Sequence, residues 1–264
     1  MLNILKADFY KLKKSRFFWI CLALCLVFGI VMVVAIQAET QIDLQSGAGH
    51  DYETALETAA NASAVWGLKR FLPTNFSALI AGVFIAVFVT SEFSYGTMKN
   101  TLSRGADRAK VFFSKFLVCG AASLAMQVLF LAGLIAAGTV VWGYDPQGIA
   151  TPGGLAGVIL SQLLVMLGFT ALFTFTSMAI RANGGAIAVN ILCSTMISMA
   201  FSALGMLLGI KIAVNDYWIG GVVEKLATIP AVSGDVLHGI LVVLAWGVAS
   251  LAVGTTLFKK MDVK

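Results

Sequence analysis

The sequence predicts an all-α integral membrane protein with six transmembrane helices. Three observations carry this. Hydrophobic residues fill 59% of the 264 positions and charged residues only 12%, with a mean hydropathy of +0.92; a soluble domain averages about 25% charged residues. Six apolar runs are each long enough to cross a bilayer as a helix, which takes roughly 20 residues. The basic residues cluster at the ends of those runs. That pattern marks membrane orientation, so the net charge of +5 implies no nucleic-acid partner.

The chain opens on an amphipathic segment. Leu2, Leu5, Phe9 and Leu12 recur at three- and four-residue steps, with Lys6, Lys11, Lys13 and Lys14 filling much of the rest. This predicts a helix lying in the membrane interface. A basic topology anchor accounts for the same residues, and the two readings are compatible. The first apolar run, 17–38, exceeds the 7–15 residues or so of a signal-peptide core, and no A-x-A site follows. It reads as a retained first span.

The remaining spans are expected at 72–90, 116–141, 155–180, 186–210 and 236–258, and no run contains Asp or Glu. Pro73 stands at the start of the second, where its missing N–H costs nothing. Placing the amino terminus inside leaves only Lys69, Arg70, Lys211 and Lys225 outside among the eighteen Lys and Arg residues. Both termini are therefore expected in the cytoplasm. Of the outside connections, 39–71 is acidic and then helix-like. The 211–235 connection carries paired glycines and Pro230 and is only moderately polar. It could re-enter the outer leaflet if protein or water covers its backbone. No linker or repeat divides the chain, so 1–264 reads as one domain.

Little here supports catalysis. The dipeptide Gly-Lys is absent, which excludes a P-loop, and neither HExxH nor Gly-x-Ser-x-Gly occurs. The two histidines are far apart in sequence, and the four cysteines fall inside apolar runs without a neighbouring Cys/His cluster. No catalytic or metal-binding residue is assigned, and no cofactor is expected in this chain. Without acids in the apolar runs, a carboxylate proton relay lacks its groups, which disfavours a secondary transporter. The spans do hold amides and hydroxyls. Gln127, Gln162, Thr174, Asn190, Ser194 and Ser198 either line a polar path or bond neighbouring helices, the commoner use.

The segment 91–115, SEFSYGTMKNTLSRGADRAKVFFSK, is the long basic, polar stretch between two apolar runs. Gly96 and Thr97 break the chain, 98–104 can form a short helix, and Gly105 stops it. Stop-transfer charges would explain Lys and Arg. They leave Glu92, Gly96-Thr97 and Ser103-Arg104-Gly105 without a reason. A short helix lying along the membrane between two spans suits a docking surface. Its candidate contacts are Glu92, Gly96, Thr97, Lys99, Leu102, Ser103, Arg104 and Arg108.

The order Glu92, Gly96-Thr97, Lys99, Leu102, Ser103-Arg104 and a distal Lys115 resembles the ABC-2 type transporter permease subunit. The opening KADFYKLKKSRFFW resembles the interfacial helix of those subunits, notably in bacitracin- and lantibiotic-resistance types, with Asp8 where many members have Glu. The resemblance implies a multi-pass permease of the bacterial cell membrane. It further implies a separate cytoplasmic ATPase dimer holding ATP and Mg, and a second permease copy or related subunit. The interfacial helix and the 98–104 helix would couple them. The expected function is export of an amphiphilic compound or antimicrobial peptide, with sodium, polysaccharide and haem-related cargo left open. A rival reading is a membrane scaffold or sensor that docks a signalling protein and moves nothing.

Overall fold

A computed structural model describes residues 2–46, 50–74, 76–143, 152–208, 214–227 and 233–261. They are almost entirely helical, with no strand among them. In chain order the helices are α1 (Leu2–Lys14), α2 (Arg16–Ser46), α3 (His50–Asn61), α4 (Ala64–Phe71), α5 (Phe76–Ser94) and α6 (Thr97–Ser103). There follow α7 (Arg108–Trp142), α8 (Pro152–Ile180), α9 (Asn183–Ile191), α10 (Ile197–Leu208), α11 (Ile219–Leu226) and α12 (Ser233–Lys260). A π-helical turn, Leu192–Met196, joins α9 to α10. Six rods among the described residues are long and apolar enough to cross a membrane: α2, α5, α7, α8, α9 with α10, and α12.

The rods outrun the expected spans. The first runs to Ser46 rather than 38, and the third starts at Arg108 rather than 116. Hydropathy marks the part that suits lipid, whereas Lys, Arg and Glu are good helix formers and continue the rod into polar sequence. The second is shifted: Leu72–Thr74 is a 3-10 turn, and α5 runs from Phe76 to Ser94. That correction matters, because it carries Glu92 into the last turn of a spanning rod. The fourth begins at Pro152 and the sixth extends over Ser233–Lys260. The fifth begins at Asn183, and its expected end at 209–210 lies outside the described residues.

α2 and α7 form the closest pair, because Gly29 and Gly133 let their backbones touch. A Cβ on Gly133 would stand 2.6 Å from the Leu26 carbonyl oxygen, and one on Gly29 2.6 Å from that of Phe130. α8 pairs with α12, while α5 packs among α7, α8 and α9. At one end of the bundle, called the basic end below, lie α1, α6 and the α8–α9 turn. At the other, acidic end, α3 and α4 cap the protruding ends of α2 and α7.

α11 enters the bundle from the acidic end. Ile219, Val222, Val223 and Leu226 are at most 1% exposed, packed against α8 and α12. Gln162 donates to the Val223 carbonyl at 3.4 Å; it lies ten residues into α8, about 15 Å along the helix. This is the described part of the connection expected to re-enter the membrane. Its flanks, 209–213 and 228–232, lie outside the described residues.

Candidate functional site

At the basic end the fold assembles four charges from three helices. α1 supplies Asp8 and Lys11, α5 supplies Glu92, and α7 supplies Lys115. Lys115 Nζ lies 2.6 Å from Asp8 Oδ1 and 2.5 Å from Glu92 Oε1. Lys11 Nζ reaches the same Glu92 oxygen at 2.9 Å and stands 3.9 Å from Asp8 Oδ1. Ser114 donates its hydroxyl to Asp8 Oδ2 at 2.8 Å. Lys115 also sits over the Phe88 ring, 5.5 Å from its centre.

Two carboxylates and two ammoniums leave the cluster neutral. Neutrality permits its depth: Lys115 is 1% exposed, Asp8 2% and Glu92 8%. A lone buried charge would cost several kcal/mol, whereas matched neighbours with hydrogen bonds offset that cost. Lys11 is the exception, its side chain 46% exposed. It is the member nearest solvent.

Local sequence explains the placement. On α1, Ile4, Asp8 and Leu12 follow one another at four-residue steps, so Asp8 falls on the inward face. The stripe read from sequence therefore divides: Leu5 and Leu12 turn inward, while Leu2 and Phe9 are 70% and 40% exposed. On α7, Asp107 caps the first turn, its Oδ1 accepting from the Ala109 N–H at 3.0 Å. Lys115 comes two turns later on the face toward α1.

A crevice of about 630 Å³ opens above the cluster. One wall is α1, with Asn3 and Ile4; the other is α6, with Thr97, Asn100 and Arg104. Two glycines fix α6. Gly96 precedes it at φ 68° and Gly105 follows at φ 81°, both in the left-handed region. Met98, 1% exposed, anchors its inner face, and Leu102 packs beside the core. The Thr97 hydroxyl donates to the Glu92 carbonyl at 3.2 Å, tying α6 to the last turn of α5. Lys99 and Ser103 are exposed. Arg104 lines the crevice and has no ion-pair or hydrogen-bond partner for its guanidinium among the described residues.

Arg108 is engaged within the chain. Its guanidinium donates to the carbonyls of Lys259 at 3.0 Å, Phe258 at 3.4 Å and Met261, closing the end of α12. In the sequence, Asp8 and Lys115 stand out as motif positions but not as partners of Glu92, and Lys11 and Ser114 carry no such signal. The available hint was that an acid on the inward face of α1 needs a buried cation.

The polar residues of the spans are dispersed. Ser77 donates to Gln127, and both meet Gln162 around a cavity of only about 10 Å³. Asn190 bonds the Gly82 carbonyl at 2.9 Å and the hydroxyls of Ser177 at 3.2 Å and Thr176 at 2.5 Å. Ser194 bonds the Ile191 carbonyl one turn back at 2.9 Å. Thr174 is fully buried. Ser198 lies on α10, its buried hydroxyl beside Gly220 of α11.

A family model described as ABC-2 family transporter protein matches residues 4–191. That stretch contains the whole cluster, α6 and the first four spanning rods. No curated protein matches the chain.

Proposed function

The chain belongs to the ABC-2 transporter family as a multi-pass membrane permease subunit, and on that premise we propose that it converts the ATP cycle of a separate cytoplasmic ATPase pair into export across a bacterial cell membrane. The membrane part would be completed by a second copy or a related subunit. The basic end, with the start of α1 and the end of α12, faces the cytoplasm in this reading. The cargo is an amphiphilic compound or antimicrobial peptide. The six apolar rods suit a ligand taken from the bilayer, and the opening segment resembles the bacitracin- and lantibiotic-resistance branch.

The observation that carries the coupling is the buried cluster beneath the crevice. Force on α6 reaches α5 through the two-residue turn Tyr95–Gly96 and the Thr97–Glu92 bond. Glu92 is bonded to Lys115 and Lys11, so α5 cannot shift alone without leaving buried charge unpaired. α1, α5 and α7 then respond together. Coupling of this kind needs two states that the ATPase binds unequally; concerted movement of these three helices supplies the difference.

The test is reconstitution of the permease with its co-purifying ATPase in proteoliposomes. Glu92→Ala and Arg104→Glu are expected to abolish ATP-driven efflux at normal levels of membrane-inserted permease. Unchanged efflux with both would remove the docking assignment. A scaffold would instead co-purify with a kinase or with no ATP-hydrolysing subunit.

A further inference from the structure

At the acidic end, α2, α3 and α7 border an open cavity of about 280 Å³. Its lining includes Gln37, Thr40 and Gln41 of α2, Thr58 of α3, and Val141 and Trp142 of α7. Gln37, Thr40 and Gln41 share one face by their three- and four-residue spacing. No lining residue is charged. Thr40 is only 7% exposed, and neither it, Thr58 nor Gln41 has a side-chain hydrogen bond among the described residues. Gln37 is held in place, its Oε1 accepting from Trp142 Nε1 at 2.6 Å. The Trp142 ring is held in turn by Trp66, edge-on with centres 5.6 Å apart.

The surroundings are acidic on balance. The connection 39–71 carries Glu39, Asp43, Asp51, Glu53 and Glu57 against Lys69 and Arg70, which end α4. Such a field draws cations and repels anions. The hydroxyl and amide oxygens of buried Thr40, half-buried Thr58 and exposed Gln41 can accept hydrogen bonds, three of which an ammonium can donate. The face of an indole attracts a cation further. A divalent metal would seek a carboxylate in its shell, and none lines the cavity.

From this we infer that the α2–α3–α7 cavity is a binding site for a primary ammonium headgroup, with Thr40, Gln41 and Thr58 as acceptors and Trp142 as the wall. The cavity is too small to enclose a peptide and large enough for one headgroup with its first methylenes. The headgroup can come from a soluble amphiphilic amine or from an aminophospholipid. The site deepens the export reading, since it faces outward in that orientation and narrows the ligand to amine-bearing amphiphiles.

The test uses the full chain alone in nanodiscs, which expose both faces and need no ATPase. Its outcome is therefore independent of the coupling mechanism and of the orientation. Dodecylammonium is titrated against discs of phosphatidylcholine, with empty discs and dodecanol as references. Saturable binding at least tenfold tighter than dodecanol is expected. Thr40→Val, or Thr58→Ala should the first variant fail to fold, should weaken it about tenfold. If the amine binds this way in phosphatidylcholine discs but not in discs that add phosphatidylethanolamine, the lipid is the occupant. If it binds equally in both, the soluble amphiphile is. Binding no tighter than dodecanol in either disc, or binding unchanged by both variants, overturns the site.

Discussion

Lys115 and Asp8, 107 positions apart, meet at 2.6 Å with both side chains at most 3% exposed. The amphipathic helix α1 is thereby fixed to a spanning rod by an almost wholly buried bond at the floor of the crevice. Removing the cation would leave Asp8 and Glu92 facing each other with only the half-exposed Lys11 between them. Lys115→Met should therefore cost on the order of 3–5 kcal/mol, the loss typical of breaking a buried pair. Lys11→Met should cost about 0–1 kcal/mol, since an exposed ion pair contributes little. Denaturation of the two variants in matched micelles measures the contrast. Equal losses would mean that burial does not govern the cluster.

Gly96 governs the angle between α5 and α6. At φ 68° an L-residue with a Cβ is strained by about 1–2 kcal/mol, although no neighbour lies within 4 Å of the added carbon. The strain is local, so Gly96→Ala should leave the bundle folded and let α6 tilt. The expected outcome is a normal melting profile with ATP hydrolysis that no longer tracks efflux. Hydrolysis and efflux still in step would mean that the angle of α6 is not transmitted.

The contact of α2 with α7 makes the opposite prediction. Gly133 has no free space, because any Cβ meets the Leu26 carbonyl at 2.6 Å and backbone cannot yield as a side-chain tip can. Gly133→Val should separate the two helices and lower stability by about 1–3 kcal/mol or more. Gly157, beside which nothing lies within 4 Å, is the control and should tolerate Ala. Thermal unfolding followed by size-exclusion chromatography distinguishes them.

Much of this architecture was legible because apolar length is a direct consequence of bilayer thickness. The amphipathic spacing of α1 and the glycines around α6 could be read for the same kind of reason, since each reports a local backbone requirement. The cluster itself could not. Asp8, Glu92 and Lys115 are distant in sequence, and nothing local says that one acid's partner is another helix's lysine. Lys115 reads as an end-of-span charge until α7 is seen to start at Arg108 and to lean on α1. The cavity near Thr40 was equally hidden, because its polar residues are individually ordinary and become a site only where three helices converge.

Asn190 separates the two uses weighed for the buried amides. It is wholly buried and bonds α5 through Gly82 and α8 through Ser177 and Thr176, just before the π-helical turn Leu192–Met196. Hydrogen bonds between membrane helices average about 0.6 kcal/mol each, so three put Asn190→Ala near 2 kcal/mol. If packing is its use, the variant loses that stability and transport falls only with the folded fraction. A path-lining role would give the reverse, with stability kept and cargo selectivity changed. The geometry favours the first outcome, since every polar atom of Asn190 is already engaged with protein. Melting temperature and efflux per folded molecule, measured on one preparation of Asn190→Ala, settle which holds.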